Sequence, residues 1–510
     1  MFAQVFSAGL LGIDAFLITV ETDLRMTQLP RWNMVGLPES SVKESKDRVL
    51  AAIKNSGYDF SFRKVTVNLA PAGTKKEGTA HDLPIAIALM SAAKLLSPKM
   101  SGKTLFVGEL SLTGELRCIK GTLSIAMMAK AMNFENIVLP TQNAKEASII
   151  SDINVYGFDL LSDVALFLEG RSLKKPEENT EFMTAASKST SCDERDFSDV
   201  YGQHQAKRAI EIAAAGGHNI LLSGPPGSGK TMLASRIPKI LPPLTIEESL
   251  ETSKIYSIMG LMGNKSLLTK RPFRDPHHSV SNAGLIGGGT HPRPGEVSLA
   301  HNGVLFLDEL PEFQRNVLEL LRQPLESRRV TISRAQMSLT YPARFILVAS
   351  CNPCPCGYHG HPRRECSCTV QQIHRYRAKL SGPLLDRIDL HIDVPPIVYE
   401  DMRGGKQVSE GSLEIAKRII NVRALQKERF LGKAIYLNAQ MTTKMIEKNC
   451  LLDGASEKIL KSSMDKFQLS ARAVSRILKV SRTIADLEKS NTIGLDHILE
   501  AIQYRSFDCK

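Results

Sequence analysis

Residues 224–231 read Gly-Pro-Pro-Gly-Ser-Gly-Lys-Thr, and their types and spacing suit a bound polyphosphate. Gly224, Gly227 and Gly229, with Pro225, Pro226 and Ser228 between them, let the backbone fold round an anion. The loop N–H groups and the following helix N-terminus supply positive potential. Lys230 reaches the β/γ-phosphates, and the Thr231 hydroxyl can ligate Mg²⁺. An ordinary glycine-rich turn is the alternative. The flanks argue against it, with the apolar run Ile220-Leu221-Leu222-Ser223 before the loop and a helix-like stretch, Met232 to Ile237, after it. Further on, Gly303-Val304-Leu305-Phe306-Leu307-Asp308-Glu309 is a buried-strand pattern ending in two carboxylates. Asp308 would hold Mg²⁺ through water, and Glu309 would polarise an attacking water. These are Walker A and Walker B patterns, and they predict binding and hydrolysis of ATP or GTP.

Phosphoryl transfer depends on positioned charge more than on covalent chemistry, so further polar groups are expected near the γ-phosphate. The run Phe345-Ile346-Leu347-Val348-Ala349 reads as another buried strand, and Asn352 beyond its end is placed to orient the water. Within Gly382-Pro383-Leu384-Leu385-Asp386-Arg387-Ile388-Asp389, Arg387 is a guanidinium for a neighbouring subunit's nucleotide. A salt bridge to Asp386 or Asp389 is the plainer reading of that arginine. Arg472, in the helical segment Leu469 to Arg476, is a second γ-phosphate cation, with Arg476 as its substitute one turn later.

In this order, the two nucleotide motifs, the sensor asparagine, the Leu-Leu-Asp-Arg finger and a helical lid resemble an AAA+ ATPase. The stretches Arg271 to Ser279, Gly284 to Gly289 and Arg293 to Asn302 narrow this to the magnesium-chelatase-like ComM/YifB family. With the N-terminal region, the resemblance covers essentially the whole chain. It implies a homo-hexameric ring with ATP and Mg²⁺ at subunit interfaces. It also implies helicase-like branch migration on single-stranded or branched DNA, serving homologous recombination and natural transformation. The rival reading is a chelatase-type ATPase that remodels a protein partner.

Composition agrees more weakly. Lys and Arg total 65 against 53 Asp and Glu, a net charge of +12 that suits a polyanionic partner. Asp14 precedes the first cation, Arg25, and no apolar run reaches the eighteen or so residues of a membrane span, so a cytoplasmic location is expected. Of 9 cysteines, Cys351, Cys354, Cys356, Cys366 and Cys368 cluster. In a cytosolic chain such spacing favours metal over disulfides, and Cys354, Cys356, Cys366 and Cys368 are the expected ligands of a structural zinc. Cys351 is expected to pack, and His359 and His361 are substitute ligands.

The alternation from Arg328 to Thr340 predicts a β-hairpin, with Arg329 and Arg334 as DNA phosphate contacts; a solvated hairpin is the alternative. Residues 1–168 mix strand and helix patterns as a separate α/β domain that resembles the proteolytic domain of Lon proteases. Aligning Glu77 to Asp82 with the Lon nucleophile motif puts Ala80 where the serine belongs, and Leu123 falls at the lysine position. The domain is therefore expected to be noncatalytic, and an ATP-dependent protease is the last-ranked reading. The expected architecture is α/β: this domain, a linker at 169–195, a five-stranded parallel AAA+ core at 196–396 carrying the 351–368 metal loop, and a helical lid at 397–510.

Overall fold

A computed structural model describes residues 1–26, 31–60, 64–97, 103–178, 196–263, 265–289, 292–334, 337–396 and 410–505. Most of the expected linker, 179–195, lies outside them. The chain divides into two compact units, Met1–Ser191 with Ile246–Thr269, and Cys192–Thr245 with Lys270–Lys510.

The first unit is built on a seven-stranded sheet. β1 (Phe2–Leu11) and β2 (Asp14–Arg25) form a long antiparallel hairpin. β3 (Arg31–Val35), β4 (Lys64–Ala70), β5 (Thr104–Phe106), β6 (Asn136–Pro140) and β7 (Asn154–Phe158) complete the order β3-β4-β2-β1-β5-β6-β7. Strand β4 alternates buried Val65, Val67 and Leu69 with half-buried neighbours, the period of a sheet covered mainly on one face. Helix α1 (Asp82–Ala92) is apolar all round and almost wholly buried. Helix α2 (Thr122–Ala131) packs beside the helix Ile246–Met259, where the Gly121 N–H donates to Ser257 O at 3.1 Å. Residues 246–269 thus pack with the N-terminal unit, although they fall inside the span expected for the ATPase core. Thr252, Ser253, Ile255 and Ser257 supply their buried face.

The second unit carries the expected five-stranded parallel sheet. Its strands are β8 (Ile220–Ser223), β9 (Phe273–Arg274), β10 (Gly303–Leu307), β13 (Phe345–Cys351) and β14 (Leu390–Asp393), in the order β9-β10-β13-β8-β14. Strands β8 and β10 are buried at every residue, because helices cover both faces of a parallel sheet. Between β10 and β13, β11 (Arg329–Arg334) and β12 (Met337–Pro342) form the expected antiparallel hairpin. The covering helices include α3 (His204–Gly216), α4 (Lys230–Ile240), α5 (Val370–Arg377), α6 (Ser412–Arg429), α7 (Ala471–Leu487) and α8 (Leu495–Gln503). One apolar core joins the sheet to α6 and α7, from Ile220 and Val348 to Ile419 and Ile477. Register aligns Ser223 with Cys351 and Leu307 with Ala349, so the segments following β8, β10 and β13 emerge side by side. Ligands of parallel α/β sheets bind at such carboxyl ends.

Candidate functional site

The segment 224–229 turns from β8 into α4, whose first residue is Lys230. Gly229 caps that helix at φ +85°, a left-handed conformation that a side chain would strain. The buried Lys230 ammonium donates to Gly224 O at 2.6 Å, Pro225 O at 3.0 Å and Asn352 Oδ1 at 3.3 Å. Burial draws its pKa down, against the pull of Cys351, Asp308 and Glu309. Ser228 Oγ is buried with no hydrogen-bond partner, a donor aimed inside the loop that suits a phosphate oxygen.

Across the cleft, the Thr231 hydroxyl donates to Asp308 Oδ2 at 2.8 Å, bringing together two hard oxygen ligands of the kind Mg²⁺ takes. Asp308 Oδ1 accepts from the Ser350 hydroxyl and from the Glu309 N–H at 3.0 Å. Glu309 sits at φ +51°, an unusual conformation for a glutamate. Its exposed carboxylate reaches toward His278, with Oε2 3.9 Å from Nδ1. Asp275 lies nearby, and burial and then Asp308 raise its pKa. A cavity of about 400 Å³ is lined by Pro226 to Met232, Asp308, Glu309 and Asn352.

This cavity gathers Pro226, Gly227, Ser228, Gly229, Lys230, Thr231, Asp308, Glu309 and Asn352; Gly224 and Pro225 are the carbonyls beneath the Lys230 ammonium. Arg387 and Arg472 are not among its lining residues. Arg387 donates to Pro383 O and pairs with Glu326 Oε1 at 2.5 Å, rather than with Asp386 or Asp389. Arg472 is exposed in the first turn of α7, and Arg476 is ion-paired with buried Asp389. Ser350, Asp275 and His278 were missed from sequence. Ser350 left one trace, a hydroxyl at the end of an apolar strand run.

The cysteines also converge. Cys354 Sγ lies 3.3 Å from Cys356 Sγ and 3.6 Å from Cys366 Sγ, and all four ligand sulfurs of Cys354, Cys356, Cys366 and Cys368 fall within 4.8 Å of one another. A tetrahedral ion about 2.3 Å from each sulfur sets them about 3.8 Å apart, so the cluster fits one with little adjustment. The Tyr358 backbone N–H draws the Cys356 thiol down to about 5. Cys366 receives the Cys368 N–H yet is pushed up to about 12 by burial and by the sulfurs of Cys356 and Cys354. Four thiolates need a cation between them, and this cluster can bind a metal such as zinc. Cys351 is buried, with burial raising it to about 11, and stays outside the cluster. His361 instead accepts the Arg363 and Arg364 N–H groups, both at 3.1 Å.

In the hairpin, Val330, Ile332, Leu339 and Tyr341 are buried, while Arg329, Thr331, Ser333, Ser338 and Thr340 face solvent. Arg334 belongs to β11, and its side chain lies outside the described residues. In the first unit, Leu123 is fully buried, and the Thr79 hydroxyl beside Ala80 donates to Glu109.

Residues 196–402 match the family described as magnesium chelatase, subunit ChlI, residues 20–143 match subunit ChlI of Mg-chelatase, and residues 409–505 match the ChlI C-terminal family. The chain is 44% identical over 508 residues to the uncharacterized protein YifB of Salmonella typhimurium, an alignment covering 99% of this chain and 97% of that one. It is also 44% identical over 504 residues to the competence protein ComM of Haemophilus influenzae, with the same coverage. The chain belongs to the ComM/YifB family of magnesium-chelatase-like AAA+ proteins. That membership supports ATPase chemistry, with ATP and Mg²⁺, at the cavity described above. A weaker likeness, 29% over 184 residues and 32% of each chain, is to Lon protease 2 of Bacillus subtilis. Among the described residues no helix is long and apolar enough to cross a membrane.

Proposed function

We propose that this ComM/YifB-family chain is a cytoplasmic, ring-forming DNA motor that couples ATP hydrolysis to branch migration in recombination and natural transformation. The observation that carries the motor reading is the shared cavity of Lys230, Thr231, Asp308, Glu309 and Asn352. Lys230 neutralises charge developing on the transferred phosphoryl group, and Thr231 and Asp308 would hold Mg²⁺, which would supply further neutralisation of phosphate charge. Glu309 activates water, and Asn352 orients it. Arg387 completes a neighbour's site in a homo-hexamer, giving up Glu326 to do so, and Arg472 closes the lid on the γ-phosphate. A structural zinc fills the cysteine cluster, and the Lon-like domain, lacking a Ser/Lys dyad, is noncatalytic.

The DNA reading is supported by kinship with a protein named for competence, by the net charge of +12, and by a hairpin whose open face offers Arg329 with Thr331, Ser333, Ser338 and Thr340. Arg329 and Arg334 are its phosphate contacts. The second reading, a chelatase-type ATPase acting on a protein partner, is favoured by the ChlI matches along the chain. ATPase rates without DNA and with single-stranded, duplex and four-way-junction DNA decide between them, with Glu309→Gln as the blank. Greatest stimulation by branched DNA is expected. A healthy basal rate that no DNA changes would transfer the assignment to protein remodelling.

A further inference from the structure

The cysteine loop is strung between parts of the nucleotide site. Asn352, whose Oδ1 meets the Lys230 ammonium, lies two residues before Cys354. Cys368 lies one residue before Thr369, the capping residue of α5. From that helix, Tyr376 lies beside the Asn352 backbone. The P-loop is tied to the same strand, because the Gly224 N–H donates to Cys351 O at 3.1 Å. The tip of the cysteine loop also rests on the P-loop. At Gly357, φ +83°, an added Cβ would lie 2.5 Å from Pro226 Cδ and 2.8 Å from its Cγ. Such a distance leaves no room for any side chain.

We propose that the ion held by Cys354, Cys356, Cys366 and Cys368 braces the nucleotide loop, so that metal occupancy sets affinity for MgATP. The brace has two arms, the Gly357 backbone against Pro226 and Asn352 against Lys230. Four metal–sulfur bonds fix the 354–368 loop, and with it the residues on which both arms depend. Removing the ion frees the tip from Pro226 and loosens Asn352, while the buried sheet beneath remains. The inference rests on the zinc reading above.

The test uses the full-length chain. Zinc is measured by elemental analysis after purification without chelator. It is then withdrawn by dialysis against a chelator, which is removed before Mg²⁺ is restored, and replaced by Zn²⁺ or Co²⁺. The expected results are one zinc per chain, thiolate-to-Co²⁺ absorption bands, and a Kd for a fluorescent ATP analogue that rises about ten-fold on withdrawal and recovers on readdition. Saturating MgATP should restore most of kcat, a split that general loss of structure would not produce. Absence of zinc and of cobalt bands overturns the metal reading. Stoichiometric zinc whose withdrawal leaves Kd within two-fold overturns the brace alone, and so does withdrawal that melts the ATPase unit, because the ion would then hold the fold. Gly357→Ala checks the first arm. Protein that keeps the cobalt bands should bind the analogue several-fold more weakly, and unchanged affinity would remove that arm.

Discussion

Asp308 is the most heavily engaged carboxylate of the site, with Thr231 on one oxygen and Ser350 and the Glu309 N–H on the other. Its orientation is therefore set before any nucleotide arrives. If Asp308 holds Mg²⁺ as proposed, Ser350→Ala should lower kcat about ten-fold while the nucleotide KM moves less than three-fold, because the variant loosens that carboxylate and leaves the phosphate loop alone. Steady-state kinetics at several Mg²⁺ concentrations measure this. If Glu309 takes the attacking water's proton, as proposed, Glu309→Gln should lower kcat by about 10²-fold or more. Equilibrium binding of an ATP analogue should be intact in that variant and lost in Lys230→Ala. The convergence of Lys230, Thr231, Asp308 and Glu309 on one cavity was legible in sequence because each sits inside a short motif with fixed internal geometry. Ser350, Asp275 and His278 were not, since their nearness to Asp308 and Glu309 comes from strand order rather than chain order.

Strands and helices were more legible than their mutual contacts. Unbroken apolar runs disclosed β8, β10 and β13 because parallel strands are buried on both faces, and period-two alternation disclosed the β11–β12 hairpin. Two-residue β9 offers too little pattern to read. Arg387 follows the short helix Gly382–Leu385 and reaches Glu326, a partner sixty-one positions away that no local rule would choose. If ring assembly exchanges Glu326 for a neighbour's phosphate, mixing Arg387→Ala with Lys230→Ala protein should recover activity through interfaces that hold one intact site. No recovery at any ratio would place the arginine outside the neighbour's site. Arg329→Ala should weaken DNA binding across sequences and reduce its salt slope by about one.

At the scale of the molecule, the sheet and the helices of the C-terminal segment are locked by buried charge. Asp389 accepts from His218 Nδ1 at 3.2 Å and pairs with Arg476, and His218 Nε2 lies 2.8 Å from Thr483 Oγ1 on α7. Burial alone would raise the Asp389 pKa, but Arg476 and then His218 hold it well below the usual 3.8. The unfolded chain therefore binds the extra proton in acid. The resulting stability is complete above about pH 4 to 5 and is lost as pH falls through and below that range. Asp389→Asn should lower the melting temperature at pH 7 and flatten its fall between pH 5 and 3, as read by scanning calorimetry. None of this network could be placed from sequence, since its members come from the residue before β14, the residues after α3, and α7.

The path of the chain has a further consequence for dissecting the protein. It leaves the ATPase unit at Thr245, contributes Ile246–Thr269 to the N-terminal unit, and returns at Lys270. A single cut between residues 179 and 195 would therefore give two bands on a denaturing gel but one particle on a sizing column, with the larger fragment still plugged into the smaller. A truncated chain beginning at residue 196 would keep the plug and lose its socket, leaving the buried face of Ile246–Met259 open to water and to its own copies. Truncation at the apparent domain boundary should thus produce aggregation, and deleting 246–269 along with the N-terminal residues should relieve it.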